Sequence, residues 1–107
     1  MLTETFMLPK VGMRGTLLNA VTGTNKGEWM NAQGFERFSI HVLISNTATA
    51  QVLASNEIAP GVDDDGGLVE QVTASGFVQL RAPARWIKVK VSAHTSGTVS
   101  AFIEAVP

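Results

Sequence analysis

From Arg85 to Ala105 the chain keeps an apolar period of two with hardly a break, and no other feature constrains its fold as strongly. Ile87, Val89, Val91 and Ala93 alternate with Trp86, Lys88, Lys90 and Ser92. After Thr95-Ser96-Gly97 the pattern resumes, with Val99, Ala101, Ile103 and Ala105 against Ser100, Phe102 and Glu104. Successive side chains of a strand point to opposite faces, so each segment carries one dry face and one face for water or a partner. Gly97 supplies the positive φ that a tight turn needs. The spacing predicts an antiparallel hairpin.

The same period recurs upstream. Arg14 to Thr22 reads as a first strand, with Thr16, Leu18 and Ala20 on one face and Leu17, Asn19 and Val21 on the other. Glu28-Trp29-Met30 is a short second strand. Phe35 to Ser45 places Phe38, Ile40, Val42 and Ile44 inward and Arg37, Ser39, His41 and Leu43 outward. Asn46-Thr47 gives a turn, and Ala48 to Ser55 reads as the hairpin partner. A long loop holding Pro60-Gly61 and Asp63-Asp64-Asp65-Gly66-Gly67 precedes short strands at Val69 to Thr73 and Phe77 to Leu80. About eight strands at intervals of roughly ten residues, with turn residues between them and no helical pattern, predict an all-β fold. The expected architecture is a single antiparallel β-sandwich or barrel, jelly-roll-like. Its 107 residues, 45% apolar, suit one core. The domain is expected over 13–107, with an extended N-terminal arm over 1–12, where Pro9, Lys10 and Gly12 interrupt any period.

Several function classes find no support in the residues. There is no cysteine, hence neither a disulfide nor a thiolate metal site. No run reaches the roughly 18 apolar residues of a membrane span, and Met1 to Phe6 lacks the basic-then-apolar order of a signal peptide. A formal net charge of -1 sets up no overall field for nucleic acid or an anionic membrane. No G-x-S-x-G, phosphate-binding glycine loop or H-E-x-x-H occurs. His41 and His94 fall on separate strands with no ligand or nucleophile at a recognisable spacing. The expectation is a protein that is not an enzyme and has neither cofactor nor metal. Asp63 to Asp65 offers consecutive carboxylates to a hard cation, but lacks the alternating ligands and distant bidentate Glu of a calcium loop, and reads as solvated.

What remains is surface chemistry. Arg81, Arg85, Lys88 and Lys90 lie in one ten-residue window, whereas Glu57, Asp63, Asp64, Asp65 and Glu70 lie before it. Lys88 and Lys90 share an outward face and would form a basic stripe, which the acidic loop can meet on a neighbouring copy. Trp29, Trp86 and Phe102 fall near or on outward faces, where an indole can anchor an interface or stack on a sugar. A loop of the same chain covering Trp86 is the competing reading.

The stretch Ala48 to Ala105, and in particular Pro83-Ala84-Arg85-Trp86-Ile87-Lys88-Val89-Lys90-Val91 followed by Thr95-Ser96-Gly97-Thr98-Val99-Ser100-Ala101, resembles small virion structural proteins of tailed bacteriophages, above all jelly-roll capsid cement or decoration proteins. The resemblance implies a non-enzymatic protein, made in the host cytoplasm and located on the capsid surface. Such a protein binds the outer shell and clamps neighbouring major capsid subunits. Its implied partners are the major capsid protein and its own copies, as a homodimer or homotrimer. Phe6, Met7 and Leu8 would anchor the arm, and Arg85, Trp86, Lys88 and Lys90 would form the contact strand. The same hairpin style also fits a tail or receptor-binding module that stacks carbohydrate on Trp29 or Trp86, or a structural subunit of a tail or baseplate.

Overall fold

A computed structural model describes residues 12–81 and 84–107; the expected arm, with Phe6, Met7 and Leu8, lies outside the described residues apart from Gly12. Eight strands follow in order: β1 (Met13–Val21), β2 (Met30–Asn31), β3 (Arg37–Ile44), β4 (Thr47–Ser55), β5 (Gly67–Val72), β6 (Gly76–Leu80), β7 (Trp86–Ser96) and β8 (Val99–Val106). They form two four-stranded sheets, ordered β1-β8-β3-β6 and β2-β7-β4-β5. The strand pairs are antiparallel. Eight antiparallel strands interleaved in this order make a jelly roll, so the expected class of fold is the one observed.

The alternation seen in sequence becomes a core between the sheets. Phe38, Ile40 and Val42 of β3 and Val99, Ala101 and Ile103 of β8 meet Ala50 and Val52 of β4 and Ile87, Val89 and Val91 of β7. These residues are essentially fully buried. Each large aliphatic side chain taken from water contributes about 1.5–3 kcal/mol. Phe38 is the one aromatic ring in this core among the described residues. Small residues such as Ala50 and Ala101 let the sheets approach closely.

Both expected hairpins are corrected. β7 and β8 lie in opposite sheets, as do β3 and β4, so each short turn carries the chain across the core. The crossing points brace one another. Ser45 N–H donates to the Thr98 carbonyl (3.0 Å), and Thr98 N–H donates to Ser45 Oγ (2.8 Å). Ser75, between β5 and β6, accepts from Ile44 N–H at Oγ (2.8 Å). Gly97, at φ 86°, lies so close to the Ser45-Asn46 turn that an added Cβ would be 2.6 Å from Ser45 Oγ. His94 closes the same corner, its Nε2–H donating to the Gly97 carbonyl (2.8 Å). Among consecutive strands of the described residues, β4 and β5 alone are hydrogen-bonded neighbours. Between them runs the long loop 56–66.

Candidate functional site

The sandwich leaves two outer faces, and their chemistry differs. On the β2-β7-β4-β5 sheet, loop 56–66 folds over the outward residues of β7. Asn56 fixes its start by accepting Arg85 N–H at Oδ1 (2.9 Å). Trp86 Nε1–H then donates to the Glu57 carbonyl (3.1 Å), and Trp29 Nε1–H to the Gly61 carbonyl (2.9 Å). Lys88 Nζ donates to the Val62 carbonyl (3.1 Å) and sits 4.6 Å from the centre of the Trp29 ring. Lys90 pairs with Asp65 (3.1 Å), and Lys26 pairs with Asp63.

The structure therefore brings Trp29, Trp86, Lys88 and Lys90 together against their own loop, and ties Arg85 to that loop through its backbone N–H. Lys88 is 0% exposed, and Trp29 and Trp86 are half-buried. The acidic loop and basic strand expected to meet between copies meet within one chain, because β4-loop-β5 returns the carboxylates directly over β7. As the domain stands, Lys88 presents no surface to a partner. The Trp29 ring has the Lys88 ammonium against it, and both indole N–H groups are used by loop carbonyls.

Electrostatics follow this closure. Burial pushes the Lys88 ammonium below the usual lysine range, and the Asp65 charge opposes that shift. The hydrogen bond from Lys26, and then its charge, hold Asp63 below the usual carboxylate range. Glu57 is raised, chiefly by the negative charge of Asp64. Asp63 and Asp65 thus serve lysines. Among the described residues no group of three His, Asp or Glu side chains is placed to hold a metal ion.

The second outer face, on β1-β8-β3-β6, is open, and of its residues Phe102 is the contact candidate named from sequence. One cross-strand row runs Thr16, Phe102, His41, Phe77, and the next runs Arg14, Glu104, Ser39, Gln79. Phe77 is 65% exposed, Leu43 41% and Phe102 39%. The His41 and Phe77 rings stack at 4.3 Å, with 10° between their planes. Rings stacked between strands about 4.8 Å apart must stand up from the sheet. They form a ridge that offers edges, rather than a flat platform. Beside it lies a groove of about 580 Å³ bordered by Phe102, His41, Phe77 and the Arg14–Glu104 ion pair (2.6 Å). A second depression, about 370 Å³, shares Ser39 and Glu104 with the first and ends at Arg37, Arg81 and Val106. His41 and Phe102 read as outward in sequence, whereas Phe77 stands on a short strand with no face assigned. Only the register across four strands brings them together.

These features define the class as a jelly-roll β-sandwich with one face closed by its own loop and one open. No family model matches the sequence, and no curated protein matches it. Among solved structures, the chain is similar to the SPBc2 prophage-derived protein YomS, with a TM-score of 0.70 and 13% identity over 95% of this chain and 99% of that one. At that identity the likeness is one of fold.

Proposed function

We propose that this protein is a non-enzymatic structural protein of a tailed-phage virion, a capsid decoration or cement protein. It binds the outer shell and stabilises contacts between neighbouring major capsid subunits. The observation that carries this reading is the likeness in fold to a prophage-derived protein over nearly the full length of both chains. The open face of the β1-β8-β3-β6 sheet supports it, because exposed Leu43, Phe77 and Phe102 concentrate apolar surface where a partner would exclude water. The core and the loop contacts lie within the domain and leave that face available.

The test pairs the solution mass of the purified protein, by light scattering, with co-sedimentation on capsids of a phage that encodes it. Saturable pelleting at a fixed ratio to the major capsid protein is expected. An oligomer that leaves shells untouched would overturn the capsid assignment and turn attention to a tail or baseplate subunit. Removing residues 1–11, most of the expected arm, is expected to weaken pelleting, since such an arm would add contact area that a small sandwich lacks. Unchanged pelleting would dismiss the arm.

A further inference from the structure

We infer that the open β1-β8-β3-β6 face is a docking surface for an extended acidic segment of a partner protein, one that carries an apolar side chain and, four residues away, a carboxylate. The inference rests on the structural-protein reading and names the chemistry of the partner.

The face is graded along its strands. At one end Phe77, His41 and Phe102 supply the aromatic surface of a groove whose polar border is the Arg14–Glu104 pair; at the other, Arg37 and Arg81 border the second depression. Among the described residues neither Arg37 nor Arg81 meets a carboxylate, and Glu104 is engaged by Arg14. Three arginines against one glutamate give the face a positive excess although the chain as a whole is formally -1. Electrostatic complementarity therefore selects an acidic partner.

Spacing sets the partner's form. Phe77 in β6 and Arg81, one residue past its end, are four residues apart, about 13 Å at strand rise. An extended segment that seats an apolar side chain beside Phe77 places the side chain four residues on, which has the same facing, beside Arg81. Ser39 and Gln79 lie between and supply hydrogen-bonding groups. The ridge formed by His41 and Phe77 disfavours a sugar, whose ring needs a flat aromatic face, and suits a side chain lying in the groove. β6 is also a sheet edge, with no strand beyond it among the described residues. A segment can lie along that edge as well as over the face.

The probe is the acetylated peptide Thr-Phe-Thr-Ser-Thr-Glu-Thr, titrated to millimolar concentration into the full-length isotope-labelled protein and followed by NMR. Signals of His41, Phe77, Phe102 and Arg81 are expected to move, with the Trp29 and Trp86 indole signals still. Phe77→Ser and Arg81→Glu, both at exposed positions, are each expected to weaken binding at least tenfold, as is replacing the peptide's Glu by Lys. Unmoved signals, or equal binding by the Lys peptide or by both variants, would overturn the inference. So would movement of the same signals on raising protein concentration alone, on removing residues 1–11, or on adding neutral or acidic oligosaccharides instead of peptide. Each would assign the face to a different occupant. Shell pelleting of Phe77→Ser and Arg81→Glu separates the two readings: pelleting without peptide binding keeps the capsid role and removes this face from it, and peptide binding without pelleting does the reverse.

Discussion

Lys88 shows how far one residue's role can diverge between sequence and structure. Its outward direction was legible from the period of two, as was that of Trp86 and Lys90. Its complete burial was not, because periodicity assigns a face and says nothing about what a loop twenty-odd residues upstream will lay over it. The ammonium lies over the Trp29 ring and donates one hydrogen to the Val62 carbonyl. Such a group is costly to desolvate and only partly compensated. Lys88→Met keeps the stem and removes the charge, so stability at neutral pH is expected within about 1 kcal/mol of the parent, or above it. Lys88→Glu would bury a carboxylate under Asp63, Asp64 and Asp65. A loss of about 3–5 kcal/mol is expected, lowering the calorimetric midpoint by roughly 12 °C or more. The pH dependence has a definite sign. With its native pKa depressed, Lys88 binds fewer protons folded than unfolded between that value and the ordinary 10.5, so its own contribution to stability rises with pH across that window. The stability difference between parent and Lys88→Met should therefore shift toward the parent on titration above neutrality. A difference independent of pH would show that the neighbouring carboxylates offset the burial of the ammonium.

Among the elements, strand existence and facing were legible, whereas strand pairing was not. A tight turn that returns a strand beside its predecessor and one that carries it into the opposite sheet demand the same alternation, since in both cases the inward residues point at the same core. Nothing in Ile44-Ser45-Asn46-Thr47 or Ser96-Gly97-Thr98 distinguishes them. The distinguishing contacts are between the two turns themselves, distant in sequence. The open aromatic row stayed hidden for the same reason, because it is assembled from β8, β3 and β6. Local irregularities were likewise invisible. β1 breaks register with β8 between Thr16 and Val21, and within that break Ala20 adopts φ 50° while its N–H donates to Ser100 Oγ (2.9 Å). A left-handed conformation costs a non-glycine residue about 1–2 kcal/mol, and glycine returns part of that gain as unfolded-chain entropy. Ala20→Gly is thus expected to stabilise the domain by about 0.5 kcal/mol in urea titration. Gly27 is the converse case. It is buried at φ 75°, and an added Cβ would be 2.2 Å from the Val89 carbonyl oxygen. Gly27→Ala is expected to cost about 1–3 kcal/mol from conformation alone, and more from the displaced β7. Parent-like stability in Gly27→Ala would mean that the segment before β2 does not lie against β7.

At the scale of the whole molecule, topology couples everything to everything. β1 pairs with β8, so the sheet that carries the open face is completed only when the two ends of the domain meet. Loop 56–66 is equally tied in. It covers Lys88, and Leu53, directly opposite on the outward side of β4, is also buried. A loop that shields side chains to this extent belongs to the cooperative unit rather than to a separately melting layer. The two tryptophans lie under that loop and report its docking, while far-UV circular dichroism reports the sheets. The two probes are expected to give one coincident urea transition. That coincidence should persist in 1 M salt, because the exposed pairs Arg14–Glu104 and Lys26–Asp63 are screened there but the buried contacts of Lys88 are not. Refolding is expected in the millisecond-to-second range typical of folds whose strands pair across long sequence separations. A tryptophan transition that precedes loss of the sheets would identify the loop as an independent flap. The β7 face, with Trp86 and Lys90, would then become accessible to a partner under conditions in which the sandwich still stands, and shell binding that strengthens as the loop opens would move the contact surface from the open sheet to the one now covered.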